Sequence, residues 1–127
     1  MNQGDRITFA AAVAEIEVNK IRVWSSANRS TARWIAAQQS IRRLSNSQIV
    51  GMSIHGTSLA LKEEVTFDHT HVTSFDWSSY PVLRFGEHPA ATPIVLQRIN
   101  EKSTGAGEEV LPAVVAAIGN ASSMRLA

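Results

Sequence analysis

The chain has 127 residues, 44% of them hydrophobic and only 6% aromatic, so it holds at most one domain's worth of sequence and enough to bury a core. A formal net charge of +1 gives no bulk electrostatic pull toward nucleic acid or membrane. The absence of cysteine excludes disulfides, thiolate zinc sites, cysteine nucleophiles and cysteine-ligated iron–sulfur clusters. It leaves the compartment open, because a cysteine-free chain tolerates either redox state. The polar start from Met1 to Arg6 and the lack of any apolar run of spanning length leave no readable signal peptide or anchor.

Residues 7–18 read as an extended segment, since Ala14, Ile16 and Val18 alternate with Glu15 and Glu17. Ile21 to Trp24 is its expected hairpin partner. Residues 25–47 stand apart: they are rich in Ser, Ala, Arg and Gln and follow neither the helix nor the strand period. From Gln48 to Leu61, Ile49, Met52, Ser53, Gly56 and Ala60 recur at helical spacing, and Gly51 and Gly56 point to a helix packed closely on a neighbour. Strands are expected at 64–67 and 72–77, joined at Asp68-His69-Thr70-His71, and a further strand at 93–98. A glycine turn and a last helix complete an α+β pattern of mixed strands with two main helices.

The turn before the last helix, Gly105-Ala106-Gly107-Glu108-Glu109, has the composition of a site. Glycine lets backbone approach a ligand closely, and a helix N-terminus favours an ionised acid. The plain alternative is a surface turn with two solvated glutamates. Arg29, Arg33, Arg42 and Arg43 form a basic stretch with no acid between Glu17 and Glu63, which could touch phosphate but reads more simply as a solvated face. His69 and His71 share a face of an extended strand without a supporting third ligand, and His55 and His88 are isolated, so no metal ligands are assigned. No serine has the context of a nucleophile elbow, and no lysine follows Gly51 and Gly56 as a phosphate loop requires. Trp24, Trp34 and Trp77 are expected as core or edge aromatics.

Three stretches, in order and spacing, resemble the large, molybdenum-binding subunit of the xanthine dehydrogenase/aldehyde oxidase family, in its isoquinoline 1-oxidoreductase-like branch. Gln48-Ile49-Val50-Gly51 with Ala60-Leu61-Lys62-Glu63-Glu64 is similar to the family's Gln-Ile-x-Gly helix ending in Ala-Leu-x-Glu-Glu. Tyr80, Leu83-Arg84, Glu87 and Pro89 resemble its Asn-Phe-x-x-Tyr-x-x-Leu-Arg-x-x-Glu-x-Pro pattern, with Asp76-Trp77 in place of Asn-Phe. Gly105-x-Gly107-Glu108 and the later Asn120-Ala121 resemble its Gly-x-Gly-Glu turn and the helix that follows.

The resemblance implies part of a C-terminal molybdopterin-binding domain over 1–127. It implies Glu108 as the general base beside molybdenum, Gln48 as a glutamine close to the metal's oxo group, and Gly105 and Gly107 as points of close approach to the cofactor. The implied cofactor is molybdopterin, in its cytosine dinucleotide form from the bacterial look of the motifs. The implied reaction is hydroxylation of an aldehyde or N-heterocycle with oxygen from water. The implied partners are the remainder of the large subunit and an iron–sulfur small subunit, with no nucleic acid and no membrane. The full-length family member could be cytoplasmic or periplasmic.

Two departures limit this expectation. The family's subunit is several times longer, so the chain alone is expected to be inactive and to hold no cofactor. The alternative is a small subunit-binding or assembly module without catalytic activity. Glu109-Val110 also replaces the Pro-Gly that usually follows the family's glutamate.

The second departure is 25–47, where the family has Asp-Cys-Gly-x-x-Val-Asn-Pro. Shifting the codon frame to the last base of one residue and the first two of the next makes Trp34-Ile35 encode Asp and Ala36-Ala37 encode Gly. The same shift permits Cys at Ile35-Ala36, Val at Gln39-Ser40, Asn at Ser40-Ile41 and Pro at Ile41-Arg42. The family segment is recovered in order, so this stretch is expected to be that segment read out of frame.

Overall fold

The computed structural model describes residues 9–19, 24–37, 42–98 and 107–126, with the backbone alone for 18–19, 24–37, 42–43, 97–98 and 124–126. Three strands, β1 (Phe9–Asn19), β2 (Trp24–Ala37) and β3 (Ala90–Arg98), form one sheet in the order β1-β2-β3. The first pair is antiparallel and the second parallel. Two helices, α1 (Arg42–Leu61) and α2 (Val110–Leu126), pack on each other, α1 against β3 and α2 against β1. This is the α+β arrangement of mixed strands and two main helices.

The strand β1 forms because its pattern has the period of two. Ala10, Ala12, Ala14 and Ile16 face the helices, while Phe9, Ala11, Val13, Glu15 and Glu17 face outward. Small alanines on the inner face let α2 lie close to the sheet. The core is Ile49 from α1 with Val110, Val114 and Ile118 from α2, the last three spaced by four residues on one helical face. Each such side chain contributes about 1.5–3 kcal/mol when fully buried.

The inner face of α1 is unusual in being small and hydroxylated. Ser53 and Thr57 are fully buried, and each hydroxyl donates to a carbonyl one turn back: Ser53 Oγ to Ile49 O at 2.8 Å and Thr57 Oγ1 to Ser53 O at 2.7 Å. Those bonds satisfy groups that would otherwise be costly to bury. The small face brings α2 in tightly at Gly56, where a Cβ would stand 3.1 Å from the Leu111 carbonyl oxygen and 3.2 Å from Val114 Cβ.

Three expectations are corrected. The partner of β1 is not 21–24 but the whole of β2, which runs through 24–37, and residues 42–47 open α1. The stretch without a pattern of its own is thus the central strand, held by backbone pairing to a neighbour on each side. The paired strands expected at 64–67 and 72–77 reduce to a single bridge, Phe67 with Val72. Here side chains satisfy the backbone in place of a ladder: Asp68 accepts from the Thr70 and His71 amides, and Ser74 Oγ accepts from the Thr66 amide. Trp77 is no core residue, being 83% exposed, while the side chains of Trp24 and Trp34 lie outside the described residues.

Candidate functional site

The candidate site is the turn at the head of α2. Glu108 is exposed, and its carbonyl accepts from the Leu111 amide at 3.1 Å, which starts the helix. Glu109, directly before the first helical residue, is half-buried and accepts from the Gly107 amide at 2.8 Å. The two adjacent carboxylates are therefore not equivalent: one is engaged by its own turn and the other faces outward. Gly107 does not have a left-handed backbone, and a Cβ there would meet nothing within 4 Å. Nothing within the described residues demands glycine at this position, and the space beside it is open. Gly105 lies outside the described residues.

Gln48 is exposed on α1. It stands eight residues before Gly56, the point at which α1 meets the start of α2, so it is roughly 12 Å along the helix axis from that crossing. The crossing does not bring Gln48 to Glu108.

The segment 62–89 leaves the end of α1 and is fastened back to it. Lys62 Nζ donates to Glu87 Oε2, Tyr80 OH donates to Glu63 Oε2 at 2.9 Å, and the Leu83 amide donates to the buried Ser58 Oγ at 3.0 Å. Glu87 Oε2 also accepts from the Arg84 amide at 2.7 Å. The Lys62 hydrogen bond, aided by that amide, holds the Glu87 carboxyl below its usual range, and the Glu63 hydrogen bond pushes the Tyr80 phenol up. The Tyr80, Leu83-Arg84, Glu87 and Pro89 positions singled out in the sequence thus form a clasp, with Pro89 buried behind it.

Further along, Asp76 accepts from the hydroxyls and amides of Ser78 and Ser79. Those hydroxyls, with the Ser79 amide, hold its carboxyl far below the ordinary carboxylate range. Asp68 is lowered in the same manner by the amides of Thr70 and His71 and the Thr70 hydroxyl. The segment so fixed carries Phe67, Phe75, Trp77 and Phe85, each more than three-quarters exposed.

The histidines stay apart from the turn. His55 is exposed on α1, His69 and His71 lie in the 68–71 turn, and His88 Nδ1 sits 3.2 Å from the Pro89 carbonyl. Among the described residues no group of three or more His, Cys, Asp or Glu could hold a metal ion. The side chains of Arg29, Arg33, Arg42 and Arg43 lie outside the described residues. Among the described residues, no helix is long and apolar enough to cross a membrane.

No protein-family model matches the sequence. Over 74 residues, 58% of its length, the chain is 43% identical to a subunit of nicotinate dehydrogenase from Pseudomonas putida. The chain belongs to the xanthine dehydrogenase family, as a piece of its molybdenum-binding subunit. The fold agrees: quinoline 2-oxidoreductase from Pseudomonas putida 86 superposes with a TM-score of 0.72 over 83% of this chain, at 15% identity. A Cu,Mo-CO dehydrogenase in its carbon monoxide reduced state superposes with a TM-score of 0.71 over 78% of this chain, also at 15% identity. The chain spans 6% of the length of the nicotinate dehydrogenase relative, and 14% and 13% of the two structures.

Proposed function

We propose that the chain is the part of a molybdenum hydroxylase large subunit that supplies the general base, Glu108, and that it does not catalyse alone. The observation that carries this is the asymmetry of the turn at the head of α2, where Glu108 is exposed beside open space at Gly107 while Glu109 is engaged. An outward carboxylate on a rigid helix start is fitted to take up a proton from a group bound against the turn.

In the family that group is molybdopterin, in its cytosine dinucleotide form on this reading, and it supplies the oxygen-transfer and redox chemistry. The residues present fit the role of base and not the role of holder, because one carboxylate and an open glycine turn provide no enclosure for a pterin. Gly105 and Gly107 would admit the cofactor. Gln48, two helical turns from the α1–α2 crossing, would reach it only from another side. Glu108 would receive the proton released as water-derived oxygen is delivered to an aldehyde or N-heterocycle.

The remainder of the large subunit and an iron–sulfur small subunit complete the assembly on this reading. The same reading takes 25–47 as the family's Asp-Cys-Gly segment read out of frame, supported by the in-order codon recovery. Sequencing the gene decides it, since codons that encode no family peptide in the alternate frame would end the idea.

Molybdenum content of the purified chain tests the main reading. Far less than one atom per chain is expected, and a near-stoichiometric content would contradict it. The exposed aromatics Phe67, Phe75, Trp77 and Phe85 favour a second reading, an assembly module that docks on partner subunits without catalysis. Co-purification with those subunits in the absence of molybdenum would favour that reading.

A further inference from the structure

We propose that Glu109 is a positioning residue that shapes the turn and leaves Glu108 as the carboxylate presented outward; this rests on Glu108 being the base. The physical cause lies three residues on. A side chain directly before a helix ordinarily caps it by accepting from the amide of the second or third helical residue. Here the third helical residue is Pro112, which has no amide hydrogen, and the amide of the second, Leu111, is taken by the Glu108 carbonyl.

With neither donor available, the Glu109 carboxylate turns back and accepts from the Gly107 amide at 2.8 Å. That bond spans Glu108 and closes a small ring around it, so the backbone on both sides of Glu108 is fixed: behind it by Glu109 and ahead of it by Leu111. Where the family resemblance places Pro-Gly after the glutamate, a ring-locked proline would stiffen the turn covalently. This chain reaches a fixed turn with a charge-assisted hydrogen bond instead.

The test is amide hydrogen exchange by NMR on the full 127-residue chain, with Glu109→Ala and Glu109→Gln. A glutamine can still accept from an amide, so it is the conservative replacement. Glu109→Ala is expected to speed exchange at Gly107 by about tenfold, the scale of one hydrogen bond, and to average the amide–Hα coupling of Glu108. Glu109→Gln is expected to restore most of both, and exchange within α2 is expected to stay unchanged in each variant.

Unchanged exchange at Gly107 in Glu109→Ala would overturn the proposal. So would a failure of Glu109→Gln to rescue, or a loss of protection along α2, which would mark a general effect on stability. Because the exchange readout does not depend on catalysis, it stands apart from the test of Glu108 as the base.

Discussion

Replacing Gly56 with alanine isolates the close contact between the two helices. In a helix interior, glycine to alanine gains about 1 kcal/mol from backbone entropy. At Gly56 the new Cβ would stand 3.1 Å from the Leu111 carbonyl oxygen and 3.2 Å from Val114 Cβ, tighter than an ordinary contact. The Leu111 oxygen belongs to backbone inside α2 and cannot swing away, so the helices must separate by a few tenths of an ångström. Such overpacking costs about 1–3 kcal/mol, which leaves Gly56→Ala about 0–2 kcal/mol less stable than the parent.

Gly51, on the same helix, provides the control, because a Cβ there meets nothing within 4 Å. Gly51→Ala should therefore be stabilising by about 1 kcal/mol. The propensity gain is common to both variants and cancels in their difference, which leaves about 1–3 kcal/mol for the helix contact alone. Urea unfolding followed by circular dichroism measures both. Equal stabilisation by the two substitutions would refute the close packing at Gly56.

Three further outcomes follow from the clasp and the turn. Glu87→Gln should lower stability at neutral pH. Since the folded carboxyl titrates below its ordinary value of 4.5, the wild type should lose this advantage as pH falls below that value. Urea midpoints from roughly pH 2 to pH 7 would show the gap closing in acid, and a gap independent of pH would count against the Lys62–Glu87 contact. Tyr80 is the chain's single tyrosine, so absorbance titration reads it directly. It should ionise above its ordinary value of 10.0 and move back toward it in Glu63→Gln, whereas an unmoved titration would remove the Glu63 bond. Gly119→Ala on α2, where a Cβ also meets nothing, should stabilise by about 1 kcal/mol in the same urea assay; a loss of stability would place an unrecognised contact there.

What the sequence made legible was whatever carried its own period. The alternation through Ala14 and Ile16 marks β1, and the recurrence of Ile49, Ser53 and Gly56 marks the packed face of α1. The strand β2 was illegible because its place depends on two neighbouring strands and not on a pattern in 24–37. The strands expected at 64–77 failed because Asp68, Ser74, Asp76 and Ser79 occupy the backbone donors that a ladder needs. At the turn, the glycine–glutamate spacing pointed to Glu108. The engagement of Glu109 was hidden, although Pro112 three residues later was a readable sign that an ordinary helix cap lacks its donor. The placement of Gln48 depends on where two helices cross, which no local spacing encodes.

The role of Glu108 is tested most directly in a complete large subunit of nicotinate dehydrogenase type whose corresponding end is replaced by residues 48–121 of this chain. Turnover and molybdenum content are measured together, with and without Glu108→Gln. The account predicts equal molybdenum in both and a turnover lower by about 10²–10⁴-fold in the variant, the range for loss of a general base. A glutamine variant that keeps its molybdenum and turns over at the parent rate would contradict it.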